Sequence, residues 1–304
     1  MADASTAAEA TITERQNSDW SLQLLAAQRQ LYSDAKRWRG LRAGSAACMA
    51  VVGVIATAIA PELLKAIGPA GTVLAIAQAL AIAAEKRCTR VAATIQEQFD
   101  TSVYPLPWNA MLGSRIDAEE VTAAAVRHQG KRDDLLDWYS LPAGVPSPLD
   151  ILLCQRTNLR WDMALRNAYA GTVAWALVSL FTLIMISGIA RGLSLVDFLL
   201  ALLPSASAFL LGVDTIRSHR EHAATQLALK SQIEAVWGRA LADGQAVDTA
   251  ELRAIQDSIF RLRAGAPPVP DRFYWRKRGE LEHGMRMAAQ RLWEEAQMTT
   301  KPGA

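Results

Sequence analysis

Charged residues are spread along most of this 304-residue chain, but four stretches exclude them. Residues 43–60, 66–84 and 167–190 hold no charge, and 192–213 holds one acid, Asp197. A helix rises about 1.5 Å per residue, so roughly 18–24 residues cover the ~30 Å hydrocarbon core of a bilayer. The connectors, Pro61-Glu62-Leu63-Leu64-Lys65 and Arg191-Gly192, are short, so the stretches pair into two helical hairpins. The third is apolar around its whole circumference, with Leu177, Val178, Leu180, Phe181, Leu183 and Ile184 close together. A half-exposed soluble helix keeps a polar face. The pattern predicts an all-α polytopic membrane protein with four transmembrane helices in two hairpins, plus a cytoplasmic helical bundle.

The polar parts also repeat with a helical period. Leu24, Ala27, Leu31, Ala35 and Trp38 make a stripe before the first span, and Val91, Ile95 and Phe99 carry a helix beyond the second. That helix is expected to stop before Tyr104-Pro105-Leu106-Pro107-Trp108, because proline blocks continuation. Asp117 and Glu120 are spaced as a capping box, and Ser147-Pro148 as an N-cap and first helical residue of a helix running into the third span. Beyond the fourth span, Leu229, Ile233, Val236 and Trp237 form one stripe. Leu252, Ile255, Ile259 and Leu262 form a second behind Asp248 and Glu251, and Leu281, Met285, Ala289 and Leu292 a third. No run alternates with period two. The expected divisions are 1–42, an amphipathic N-terminal helix; 43–84, the first hairpin; 85–166, a helical insert; 167–214, the second hairpin; and 215–304, a helical tail.

Charge placement sets the orientation. Lys36, Arg37, Arg39 and Arg42 precede the first span, and Lys86, Arg87 and Arg90 follow the second. Arg156, Arg160 and Arg166 precede the third, and Arg217 and Arg220 follow the fourth, while the tight links hold only Lys65 and Arg191. The positive-inside rule then places both termini and the insert in the cytoplasm, which needs an even number of spans. The polar first forty residues show no cleavable signal peptide. The composition agrees, with 51% hydrophobic residues, and the net charge of +2 gives no ground to expect DNA or RNA binding. Cys48, Cys88 and Cys154 have neither metal-ligand nor redox spacing.

Small residues recur at helical spacing in the first hairpin (Ala46 and Ala50; Ala75, Ala79 and Ala83), which suits close packing within the hairpin or between subunits of a homo-oligomer. Polar residues in the spans are few: Gln78, Ser179, Thr182, Ser205 and Ser207. They fit either a pore lining or interhelical hydrogen bonds. Pro204 is expected to kink the fourth span. No phosphate loop, dinucleotide turn, nucleophile elbow or metal signature is present, so neither an enzyme nor a cofactor is expected. His219 and His222 are spaced for a shared metal but read better as interfacial histidines.

Two basic-aromatic clusters stand out. Gln155-Arg156-Thr157-Asn158-Leu159-Arg160-Trp161-Asp162 offers Arg156, Asn158, Arg160 and Trp161 as a candidate ligand site, arginine holding a phosphate and tryptophan stacking a base. It reads better as a helix junction, with Asp162 paired to Arg166 one turn on and Trp161 at the bilayer interface. Phe273-Tyr274-Trp275-Arg276-Lys277-Arg278 carries the same two readings. A hint of duplication accompanies the hairpins: Gln-Arg recurs at the same distance ahead of each (Gln28-Arg29, Gln155-Arg156), and Ala-Ala-Thr follows each (Ala92, Ala223).

An ordered set of segments surrounds the four spans: Ile12-Thr13-Glu14-Arg15-Gln16-Asn17, Leu25-Ala26-Ala27-Gln28-Arg29-Gln30-Leu31-Tyr32, Tyr104-Pro105-Leu106-Pro107-Trp108, Asp137-Trp138-Tyr139 and Gln155 through Asp162. Over nearly the whole chain this resembles the SMODS-associated four-transmembrane effector family of bacterial anti-phage systems. The resemblance implies a multi-pass protein of the bacterial inner membrane, linked to a nucleotidyltransferase whose cyclic oligonucleotide messenger triggers it. It further implies pore formation or other disruption of that membrane, ending in abortive infection. The alternative is a non-conducting membrane anchor that recruits a cytoplasmic partner.

Overall fold

The structure, a computed structural model, describes residues 10–59, 64–192, 194–242 and 246–300; the side chains at 46–47, 49–59, 64–72, 197–208 and 299–300 are outside the description. The described residues are helical, with no strand among them. The elements are α1 (Ile12–Gln16), α2 (Asp19–Ile59), α3 (Leu64–Val103), α4 (Ala118–Val126), α5 (Leu149–Ala190), α6 (Leu195–Ala242), α7 (Thr249–Ala264) and α8 (Asp271–Thr300). Single 3-10 turns lie at Ala110–Leu112 and Arg132–Leu135. The chain forms two units, one of residues 1–140 and 252–271, the other of 141–251 and 272–304.

Each unit is built on one hairpin of long helices, α2 with α3 in the first and α5 with α6 in the second. Each of these helices runs unbroken through the boundary between its charged and uncharged parts, so those boundaries are changes of chemistry within one rod. The 42 residues of α5 amount to about 63 Å at the helical rise. Gly192 closes its C-terminus at φ +59, the left-handed conformation that glycine adopts without steric cost, with Arg191 N donating to Ser187 O (3.1 Å). Further along the hairpin Gly212 admits Leu177: a Cβ there would lie 2.7 Å from the leucine side chain. The hairpin link at 60–63 lies outside the described residues.

In the first unit, α1 is opened by a capping box. Thr11 Oγ1 accepts from Glu14 N (3.3 Å), and Glu14 Oε2 accepts from Thr11 N (2.7 Å). The predicted α2 stripe is inside, with Leu24, Ala27 and Ala35 buried and Trp38 at its exposed end. α3 stops at Val103, before the prolines, as expected. Its stretch 92–101 is buried on every side, polar residues included, so their hydrogen bonds have to be made inside. Thr94 and Thr101 return theirs to the carbonyls four residues back (3.0 and 2.8 Å). Gln98 pairs through both ends of its amide with Ile116, donating to O (2.9 Å) and accepting from N (3.2 Å).

Glu97 and Asp100, one turn apart on α3 and fully buried, are met by α7. Arg253 is bonded to Glu97 and, at 2.9 Å, to Asp257; Gln256 donates to both Glu97 and Asp100 (2.9 Å each); and Arg263 Nη1 donates to Asp100 Oδ2 at 2.5 Å. Tyr139 Oη completes the shell of Asp100 at 2.7 Å. Burial and the neighbouring Asp100 push the Glu97 carboxyl above its usual value, against the pull of Arg253.

Two expected caps form differently. Asp117 is the N-cap of α4 but makes no side-chain cap bond, so the Asp117/Glu120 box is absent; Glu119 and Glu120 instead place charge in the first turn, where the helix dipole favours it, and Val121 and Ala124 anchor the helix by burial. At α5, Pro148 is itself the N-cap and Leu149 the first helical residue, one position later than expected. Asp248 caps α7 as read, accepting from Ala250 N at 3.1 Å.

A buried carboxylate stripped of its partner costs about 3–5 kcal/mol. Arg263→Ala is therefore expected to lower the melting temperature of the detergent-solubilised protein far more than Arg156→Ala, whose ion pair with Glu234 is partly solvated. Circular-dichroism melts of the two variants side by side check this.

Candidate functional site

The predicted ligand segment lies on α5 in the second unit, against α6 and α8. Arg156 places Nε and Nη2 on Glu234 Oε1 of α6, both at 2.8 Å, and Lys230 Nζ holds the other carboxylate oxygen at 2.7 Å. Burial works against the Glu234 charge, but the two cations outweigh it and hold the carboxyl below its usual range. Less than two turns on, Asp162 Oδ2 accepts from Arg166 Nε (2.7 Å) and from Gln226 Nε2 of α6 (2.5 Å), with His222 Nε2 4.0 Å away. Arg166 Nη1 reaches His219 Nδ1 at 3.4 Å, and the His219 ring meets Tyr169 edge-on at 5.0 Å between centroids. These residues clasp α5 to α6 immediately before the uncharged stretch of α5 begins.

Arg166 also decides the ionisation of the clasp. Burial disfavours the Asp162 carboxylate, yet Arg166 prevails and the carboxyl lies below its usual value. Burial and the same arginine push the His222 imidazole down to about 4, with Asp162 pulling the other way. His219 is fully buried, and both rings face the α5 clasp. Their spacing is that of a helix face, and what the face meets is an ion pair.

Of the four predicted ligand residues, Arg156 is committed to Glu234, Asn158 is half-buried and Arg160 is exposed. Trp161 packs on Tyr274 of α8 with centroids 5.2 Å apart. The two basic-aromatic clusters that the sequence sets far apart are thus in contact. Tyr274 meets Trp275 edge-on at 5.3 Å, the Arg278 guanidinium lies 5.2 Å over the Trp275 ring, and Arg276 lies 5.4 Å over Phe273. Phe273 in turn packs on Tyr169 at 5.3 Å.

Among the candidate span residues, Gln78 is half-buried and Ser179 exposed. Thr182 returns its hydroxyl to Val178 O of its own helix at 2.9 Å. Pro204, Ser205 and Ser207 lie within α6, and their side chains are outside the described residues. The apolar surface of the third span faces outward: Trp175, Leu183 and Ile189 are each about two-thirds exposed or more. Among the described residues α5 is long and apolar enough to cross a membrane.

The remaining quoted segments converge in the first unit. Gln16 pairs both ends of its amide with the backbone of Tyr139 (2.7 and 3.2 Å), Asn17 does the same with Asp137 (2.9 and 3.0 Å), and Arg29 lies 5.2 Å over Trp138. Tyr104 packs on Tyr139 at 5.3 Å, and Pro107 O accepts from Arg253 at 3.2 Å. Sequence reasoning missed Glu97, Asp100, Arg253, Arg263 and Gln226. Glu97 and Asp100 lie one turn apart on the α3 face opposite Ile95 and Phe99, where an apolar stripe gives no sign of burial.

Paired long hairpins, with no strand among the described residues, define an all-helical protein, and one of its helices, α5, has the length and apolar character to cross a membrane. The chain belongs to the family of the SMODS-associating 4TM effector domain, whose profile matches residues 10–292. It is also similar to a probable CBASS effector molecule of Bacillus cereus (strain VD146), 25% identical over 188 residues, which are 60% of this chain and 62% of the relative. The match thus spans less than two thirds of that relative. No solved structure matches the chain.

The clasp should respond to acid in a definite direction. A histidine held neutral below its unfolded value contributes stability that is complete above about pH 6.5 and is lost as pH falls toward 4. Melts of the wild type are expected to weaken over that window, and His222→Gln to flatten the decline; an unchanged profile in the variant would show that another group carries it.

Proposed function

We propose that the protein is a membrane effector of bacterial anti-phage defence, gated by a cyclic oligonucleotide messenger and acting by permeabilising the inner membrane. The family assignment and the CBASS effector relative support the defence role. The observation that carries the membrane part is the exposed apolar surface of the second unit's hairpin, on α5 and at Leu210, Leu211 and Val213 of α6; the first unit has its own exposed apolar residues in Val73, Ile76 and Leu80 on α3. Surfaces of this extent on long helices have no stable contact with water. On this reading the four uncharged stretches cross the bilayer, the termini and polar helices are cytoplasmic, and copies assemble into an oligomer. No catalytic step is part of it; the partners are the lipid bilayer, the messenger and the nucleotidyltransferase that makes it.

A non-conducting anchor is the second reading, and one observation favours it: Thr172 and Thr182 direct their hydroxyls to carbonyls of their own helix, so these polar groups are satisfied without lining a channel.

Membrane potential in living bacteria separates the two. With the chain expressed alone the potential is expected to hold; with the messenger synthase co-expressed, a voltage-sensitive dye should report depolarisation within minutes. An unchanged potential, with the protein confirmed in the membrane and the messenger confirmed in the cell, would reject permeabilisation and leave the anchor.

A further inference from the structure

The clasp and the buried network consume their own charges, whereas the aromatic line between α5 and α8 runs out to the surface. Trp161, Tyr274 and Trp275 follow one another at 5.2 and 5.3 Å. The line reaches the surface at Trp275, which is 44% exposed. An indole left at the surface forgoes the burial that usually justifies its size. The surroundings are cationic: Arg272 and Arg276 are exposed and have no carboxylate partner among the described residues, while Arg278, paired with Glu282 at 2.5 Å, lies against the Trp275 ring. Aromatic faces beside unpaired guanidinium groups are the chemistry that binds single-stranded nucleotides, the base stacking and the phosphates meeting arginine.

We propose that Trp275, backed by Tyr274 and Trp161, is the platform on which a base of the cyclic oligonucleotide stacks, with Arg272 and Arg276 meeting its phosphates. This rests on the reading of the protein as messenger-gated. Its position gives binding a mechanical consequence. Trp161 is followed in sequence by Asp162, the centre of the α5–α6 clasp. Whatever moves Trp161 strains the point where α5 and α6 are held together before they run on as the second hairpin.

The test is equilibrium dialysis of the full-length protein in detergent micelles against radiolabelled 3′,3′-cyclic di-AMP, 3′,3′-cyclic GMP–AMP and cyclic tri-AMP. The wild type is expected to bind at least one. Trp275→Ala should weaken that binding by about 10-fold or more, and Trp275→Phe, which keeps a π face, should stay within about 3-fold. Trp275→Leu, which keeps apolar bulk alone, should behave as the alanine variant. Because the side chain is near the surface, all three are expected to melt with the wild type. Wild-type affinity retained in the alanine and leucine variants overturns the site while the messenger-gated reading stands. Retained affinity together with quenching of Trp275 emission by brominated phospholipid in nanodiscs identifies an interfacial anchor instead. No binding of any of the three by the wild type removes the messenger-gated reading, and the site with it.

Discussion

Two carboxylates on α3, Glu97 and Asp100, are completely withdrawn from water, and a charge so placed must be met by charge. The partners come from α7, more than 150 residues later, in Arg253 and Arg263. Everything between the two has to be accommodated while the ends are held together. The chain therefore leaves the first unit at residue 140, builds most of the second, returns with α7 to close the ionic core, and leaves again to supply α8. Two further devices depend on the same core. Tyr139 is fixed by Asp100 through its hydroxyl and by Gln16 through its backbone, so the 137–139 segment is locked at both faces. Arg253, already on Glu97 and Asp257, also takes the carbonyl of Pro107 and pins the turn that ends α3.

Much of the layout is legible in the sequence because the forces that set it are local or periodic. Uncharged runs, tight links and prolines are all properties of neighbouring residues, and the ends of α3 and α7 fall where those signals put them. The Asp162–Arg166 pair is likewise a one-turn relation and was foreseeable. The ionic core is not local. Glu97 and Asp100 are ordinary helix-surface residues by type, and nothing in their immediate sequence distinguishes a solvated acid from one that meets an arginine from the far end of the chain. The same holds for Trp161: its neighbours on α5 point to Arg156 and Arg160 as companions, whereas tertiary packing gives Arg156 to Glu234 and gives Trp161 to Tyr274.

The quoted family segments gain a physical meaning from this. Gln16, Asn17, Tyr104, Pro107, Asp137 and Tyr139 are ties of the first unit, where an amide side chain stands in for a missing strand partner or a carbonyl caps an arginine. They report folding constraints. The Gln155–Asp162 segment differs in kind, since it holds both a clasp between long helices and an aromatic contact that reaches the surface. Function on the proposed reading belongs to the second unit.

Gating imposes an energetic condition on such a design. Shifting a two-state protein from mostly closed to mostly open takes about 5.5 kcal/mol of differential binding. Stacking of one base supplies about 1–3 kcal/mol, so a single platform is insufficient alone. In the proposed site, phosphate contacts from Arg272 and Arg276 would add to it, and their contribution would count only so far as they form better in the open state than in the closed one. Assembly is the other source, because subunits that open together sum the ligand energy of each site over one shared transition. A small effector with one surface platform per chain is thus better suited to act as an oligomer than as a monomer. The long continuous helices suit that arrangement, since each carries a charged part and an uncharged part in one unbroken rod.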